Sequence, residues 1–452
     1  MVRMNLDMTV GNPTKTIITF AVPVMLSNIF QQTYNIAAAV IAGRLIGKDA
    51  LAAIGIADPI MSIAIFFMFG ICVGVSVLLA QLYGAQDYEG FKIQTSTALI
   101  AGSGFTIVLS ILCIFISRPI LVISKTPDII LNDADSYLKI IFSGLIFSFL
   151  YNFYSSALRA IGDSKTPLIF LLISSVLNIC LNLLFIKGFN MGVSSMAVST
   201  IIAQAVSSIS CIIYVYMKIP ILSLKRNEFI LKIDVLIKTI KYSWASALQQ
   251  TFVYIGRFLV QGTVNPLGPS VIAAYNTATR VEAFVFASFE SVATSVSTFS
   301  AQNMGAGLNN RIKLGYNKSI IINIICSFVI SSVLYIFSPK IMSIFVSTDG
   351  ATIIEAGSQY LKTIAMFYIL SGMTSLLQGL FRGVGLLSVT MIATGLQFSI
   401  RVIFSYMLVP VAGISGIGYA AGIGWLLMGV FQAFYAMKYF KQISQCELSN
   451  AM

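Results

Sequence analysis

The chain has 452 residues, 57% of them hydrophobic and 10% charged, with a formal net charge of +12 and no histidine. A soluble domain carries about 25% charged residues, and burying this much apolar surface away from water would need a larger core than one domain provides, so most of it faces lipid. The basic residues lie between apolar blocks, which assigns the charge to membrane-flanking loops rather than to nucleic acid, and the lack of histidine excludes histidine relays, histidine metal sites and Ser-His triads.

A bilayer core of about 30 Å takes about 20 apolar residues per helix. Twelve blocks of that kind follow in chain order: 17–42, 50–80, 94–116, 137–160, 166–186, 192–217, 236–262, 270–302, 316–338, 357–382, 387–410 and 414–437. The first is long and lacks a small-residue cleavage site, so it reads as a retained span rather than a signal peptide. The alternating ten-residue strands of a membrane barrel do not fit such blocks. The predicted fold class is therefore all-α, with twelve transmembrane helices. Of the six cysteines, five (Cys72, Cys113, Cys180, Cys211 and Cys326) fall inside apolar blocks; without a CxxC pair they read as buried thiols.

Counting residues at the span ends with the adjoining loop, one set of alternate loops and both termini carry 17 Lys and Arg, the other set 6. That bias predicts a multi-pass protein of the cell inner or plasma membrane with both termini in the cytoplasm. The longest basic connector, from Lys218 to Lys241, sits mid-chain as a solvated loop that can also meet anionic headgroups. It divides the chain into an N-terminal six-helix bundle (1–217), a linker (218–235) and a C-terminal six-helix bundle (236–452).

The two halves repeat. LAQLYGAQ at 79–86 matches SAQNMGAG at 300–307, and LIGKDALAAIG at 45–55 matches PLGPSVIAAYN at 266–276, both at an offset of 221. SALRAIGDS at 156–164 matches GLFRGVGLL at 379–387, and QQT recurs at 31–33 and 249–251. Six helices per half put both halves on the same starting side, a parallel repeat about an axis along the membrane normal, which suits alternating access.

These motifs, in this order, resemble the multidrug and toxic compound extrusion (MATE) family. The matching stretches are Gly43-Arg44-Leu45-Ile46-Gly47, Ala80-Gln81-Leu82-Tyr83-Gly84-Ala85 and Leu158-Arg159-Ala160-Ile161-Gly162-Asp163. Asn178-Ile179-Cys180-Leu181-Asn182, Ala301-Gln302-Asn303-Met304-Gly305-Ala306 and Phe381-Arg382-Gly383-Val384-Gly385 complete the set, and the likeness runs over about 15–440. The resemblance implies two pseudo-symmetric six-helix bundles in a V. It implies a secondary transporter, working as a monomer, that exports cationic or amphipathic small molecules in exchange for Na+ or H+, with no other cofactor.

Within a bilayer a polar side chain is costly and so points to function. Asn178 and Asn182 are one turn apart and share a helix face; with Thr200 they offer oxygens to a hard cation, or else hydrogen-bond neighbouring helices. The resemblance places them at the family's N-terminal cation site, with Ala38 where helix 1 would carry a carboxylate. That leaves no ionisable group there, since amides and a hydroxyl do not take up a proton at ordinary pH.

Gln31, Tyr34, Asn35, Gln249, Gln250 and Tyr254 fall at matching places in the first helix of each half and read as cavity wall, or as interhelical hydrogen bonds. Phe, Tyr and Met elsewhere supply adaptable surface for flat cations. Pro23 lies early in helix 1, where it permits a bend, and Asp58 beside Pro59 reads as an N-cap. Glu282 and Glu290 lie in the eighth block, with Arg257 and Arg280 as candidate partners, either in fixed ion pairs or in coupling devices in which a cation displaces the arginine; Arg401, in the eleventh block, is a further possible coupling charge. A lipid or lipid-linked-sugar flippase of similar fold is the alternative reading, carried by Arg257, Arg280 and Arg401. A membrane enzyme is disfavoured, because the sequence has no HExxH, no GxSxG and no carboxylates paired four apart in a helix.

Overall fold

A computed structural model describes residues 6–189, 192–345 and 350–450. Among the described residues the chain forms fourteen α-helices and no strand. The first half contains α1 (Pro13–Ile41), α2 (Lys48–Gly84), α3 (Tyr88–Ile123), α4 (Asp128–Ser143), α5 (Leu145–Ala160), α6 (Lys165–Phe189) and α7 (Ser194–Lys218). The second contains α8 (Ile233–Val264), α9 (Pro269–Gly305), α10 (Asn309–Ser343), α11 (Ala351–Ala365), α12 (Tyr368–Gly383), α13 (Leu387–Ala412) and α14 (Ser415–Asn450).

Seven of these helices are long and apolar enough to cross a membrane, and nine spans result if each bent pair, α4 with α5 and α11 with α12, counts as one. The other three long helices are α1, α8 and α9. They carry the Gln-Gln-Thr stretches and the glutamates singled out above, and this polarity lowers their hydropathy. All twelve expected spans thus correspond to helical segments. The fourth and tenth are longer than expected and broken, by 46° and 56°. Asp58 is not an N-cap: α2 starts at Lys48 and runs on through Pro59. Cys180 is exposed rather than buried, whereas Cys72, Cys113 and Cys211 are buried.

The sequence repeat is a structural one. In the first half α2 packs on α3, α4 and α5, and α7 on α4, α5 and α6; in the second α9 packs on α10, α11 and α12, and α14 on α11, α12 and α13. The repeated glycines Gly84 and Gly305 end α2 and α9, and the next residues, Ala85 and Ala306, donate to Gln81 O and Gln302 O at 2.9 and 3.0 Å.

The broken spans are built by the same device with the sizes exchanged. At the first break, Gly144 lies against Ile201 of α7; a Cβ at Gly144 would come within 2.4 Å of Ile201 Cγ1. At the second, the bulky residue is Phe367 on the broken span and the glycine is Gly422 on α14, where a Cβ would come within 2.5 Å of the ring. The offsets, 223 and 221, are those of the repeat. One large and one small residue fill each junction, as close packing requires.

Two compact units result. One comprises Leu26–Ala247 with the segment ending at Asp7; the other comprises Met8–Met25 with Leu248–Met452. The expected boundaries, 1–217, 218–235 and 236–452, are therefore shifted: the division falls inside α1 and α8. The start of α8 belongs to the first unit because Gly70 and Gly74 of α2 leave room for its backbone. A Cβ at either would meet Ala247 or Ser243 Cα at 2.5 or 2.6 Å, the close approach small residues allow between membrane helices.

The connector, expected as a solvated linker, is held on the first unit. Lys92 Nζ donates to Glu228 at 2.7 Å. The Ser96 hydroxyl and the Ile230 backbone exchange hydrogen bonds of 2.9 and 2.7 Å. The start of α1 is held on the second unit in the same manner. Met8 N donates to Gln302 Oε1 at 3.0 Å, and Arg311 donates to Gly11 O and Val10 O at 2.8 and 2.6 Å.

Candidate ion-coupling site

Among the described residues, each unit holds a buried polar cluster that includes residues singled out in the sequence. In the first unit, Asn178 and Asn182 on α6 are both buried, although α6 is otherwise largely exposed. Asn182 Nδ2 donates to Asn178 Oδ1 at 2.6 Å, Asn178 Nδ2 donates to Thr200 Oγ1 at 3.1 Å, and Thr200 Oγ1 donates to Met196 O at 2.8 Å. The one-turn spacing and the facing helix thus bring three of the four expected residues into one chain. Asn182 Oδ1 is buried without a hydrogen-bond partner, an acceptor left unsatisfied at a cost. Ala38, half-buried on α1, has no polar side-chain atom to add. One turn further on, α1 gives way to a π-helical turn, Ala42–Ile46, a distortion often found at functional sites.

The second unit carries the charged cluster. Glu282 on α9 is 4% exposed. Tyr360 OH on α11 donates to its Oε2 at 3.2 Å and Tyr368 OH on α12 to its Oε1 at 3.4 Å. Arg401 Nη2 on α13 donates to Tyr360 OH at 3.4 Å, so one hydroxyl joins the arginine to the carboxyl. Rings enclose the group: Tyr275 stands edge-on to Tyr360 at 5.4 Å, and Phe286 and Trp425 flank Tyr368 at 6.3 and 6.2 Å.

The break between α11 and α12 places Tyr360 and Tyr368 on two differently directed segments, which lets both hydroxyls converge on one carboxyl. Neither tyrosine was singled out in the sequence. The repeat held a signal, because the offset of 223 sets Tyr360 opposite Tyr137 and Arg401 opposite Asn178.

The expected pairing of Glu282 or Glu290 with Arg257 or Arg280 is not the one found. Glu290 pairs with Arg382 of α12 through two bonds, 2.7 and 3.2 Å. Arg257 is exposed over the rings of Tyr254 and Phe286, at 5.8 and 5.9 Å, and Arg280 is exposed. A partner 92 residues away could not be chosen from helix spacing.

Of the cavity-wall residues, Gln31 and Asn35 are exposed and Tyr34 half-buried on α1. Gln249 is instead buried and tied into its own unit: its Nε2 donates to Gln378 Oε1 at 3.0 Å, and Gln378 Nε2 donates to Thr394 Oγ1 at 3.0 Å. It therefore joins helices rather than lining open space, while Gln250 and Tyr254 stay half-buried.

The family model described as MatE matches residues 23–184 and 245–407, one match in each half. The chain belongs to the MatE family. It is thus a transporter-family membrane protein with the twelve-helix fold. The "Probable multidrug resistance protein YpnP" of Bacillus subtilis is 29% identical over 422 residues, covering 93% of this chain and 94% of that one. The "Multidrug export protein MepA" of Staphylococcus aureus is 24% identical over 406 residues, 89% of each.

In fold, this MatE chain is similar to a MOP superfamily transporter from Pyrococcus furiosus, with a TM-score of 0.92, 20% identity and coverage of 98% of this chain and 99% of that one. It is also similar to a multidrug resistance MATE family transporter in an outward-facing conformation, with a TM-score of 0.89, 20% identity and 98% and 99% coverage.

Proposed function

We propose that this MatE protein exports cationic or amphipathic small molecules by alternating access, in exchange for an inward cation that loads at Glu282. It works as a monomer in the cell membrane with both termini in the cytoplasm, as the distribution of Lys and Arg supports. Names of the relatives, a multidrug export protein among them, support the substrate class.

The carrying observation is the contrast between two glutamates of one helix. Glu290 is matched by a guanidinium in direct contact. Glu282 is answered by two tyrosine hydroxyls, with Arg401 one hydroxyl further away. A carboxyl so placed can trade its charge for a proton or hold a small cation, and either event changes what Tyr360 and Tyr368 donate to. Those residues lie on the two arms of the broken span, so loading acts on the bend. The amide cluster at Asn178, Asn182 and Thr200 has oxygens for Na+ and one unanswered acceptor, but nothing that takes up a proton. We assign it the weaker, secondary role. The flippase alternative loses support, since Arg401 is engaged by Tyr360 and Arg257 lies over rings.

The test is dye efflux from vesicles with pH and Na+ gradients imposed separately. Wild-type efflux should follow at least one gradient, and Glu282→Gln should abolish that dependence. Efflux indifferent to both gradients in the wild type would refute the antiport reading.

A further inference from the structure

We infer that the second unit carries a binding site for an anionic phospholipid, in a groove among α10, α12 and α14 that is separate from the Glu282 cluster. The groove is open to one side and has a volume of about 520 Å³. Its chemistry is divided. Leu377 of α12, with Met437 and Phe440 of α14, makes an apolar slot, and Tyr316 of α10 closes it with its ring 5.7 Å from that of Phe440. Lys313 of α10 and Lys441 of α14 stand on the same lining. Both are exposed, and among the described residues neither enters an ion pair. None of the described lining residues is acidic.

The occupant follows from that pairing. A drug cation would be repelled by two uncompensated lysines. A soluble anion would satisfy the lysines but leave the slot empty of apolar partners. A phospholipid with an anionic headgroup uses both: phosphate between Lys313 and Lys441, and the first methylenes of a chain in the slot. The slot opens onto an apolar strip of α14, where Val430, Phe434 and Met437 are exposed, and this strip can guide the rest of the chain along the helix. Lys313 lies in the second turn of α10, while Lys441 follows the apolar part of α14, so both sit at the ends of apolar segments, at headgroup level. Lysines there attract anionic lipid by about 1 kcal/mol each. The leaflet, cytoplasmic, rests on the orientation proposed above; the binding does not.

Purified protein in neutral detergent would be titrated with phosphatidylglycerol, with phosphatidylcholine and with inorganic phosphate, and lipid retention read by native mass spectrometry. Phosphatidylglycerol should be retained at least about tenfold more tightly by the wild type than by Lys313→Gln/Lys441→Gln, the order expected for losing two headgroup lysines. Lys125→Gln/Lys187→Gln, which removes two exposed charges from the first unit, should retain it like the wild type. Ala433→Trp, at a lining residue of the slot on α14, fills it and leaves both lysines, and should also weaken retention. Equal retention of phosphatidylcholine, equal loss in the control variant, or displacement by inorganic phosphate alone would overturn the proposal. Since this readout needs no transport, it fails or stands independently of the exporter reading.

Discussion

Glu282 and Glu290 lie two turns apart on α9, yet their surroundings assign them different work. Arg382 is 4% exposed and Glu290 39%, so removing the glutamate strands a buried guanidinium. Glu290→Ala should cost about 2 kcal/mol, less than a fully buried pair because Glu290 is partly solvated, read as a fall in thermal unfolding temperature in detergent. Glu282→Gln keeps the shape and the tyrosine contacts and should unfold near the wild-type temperature while losing gradient-dependent efflux. Tyr360→Phe removes the hydroxyl between Arg401 and Glu282 and should lower the coupled rate without abolishing it. In the other unit, Ala38→Asp would restore a carboxylate on α1. If the amide cluster lies within its reach, sodium-dependent efflux should rise, and Asn182→Ala should cancel the gain; an unchanged sodium response would remove Asn178, Asn182 and Thr200 from the mechanism.

At the scale of helices, the two junctions offer a matched test. Gly144→Ala should destabilise the first unit by about 1–3 kcal/mol through overpacking, and Ile201→Ala in the same chain should recover part of the loss. Such non-additivity is expected only of residues in contact, and strictly additive unfolding shifts would mean that Ile201 is not what Gly144 accommodates.

The connectors make a second prediction. The hydrogen bond from Lys92 holds the Glu228 carboxyl below the ordinary glutamate range. The clasp is therefore complete at neutral pH and is lost as the pH falls through that lowered value. Lys92→Gln should lower the hydrogen-exchange protection of 226–232 at neutral pH, where the pair is charged, and the difference from wild type should vanish in acid. By the same measurement Arg311→Ala should deprotect Thr9–Gly11, whose carbonyls and neighbours Arg311 holds.

For the whole molecule, what could be read in the sequence was what periodicity and repetition carry. Block length gave the twelve spans, and constant offsets gave the two related halves that the structure shows packed alike. Asn178, Asn182 and Thr200 could be grouped because two share a helix face. What could not be read was set by three-dimensional choices. The breaks at Gly144 and Phe367 each pack against a residue of another helix, Ile201 and Gly422, a contact that apolar length alone does not carry. The division inside α8 depends on Gly70 and Gly74 admitting a backbone from far along the chain. Arg382, taken as a family motif residue, proved to be the partner of Glu290, and Tyr360 and Tyr368 supply the contacts that give Glu282 its role.

Whether a cation loading at Glu282 drives export is read from efflux of a fluorescent cation from proteoliposomes, with wild type and Glu282→Gln under the same imposed gradient, pH or Na+. Wild-type efflux should accelerate with the gradient, and the variant should keep the rate measured without one. A Glu282→Gln protein that still accelerates with the gradient as the wild type does would contradict loading at Glu282.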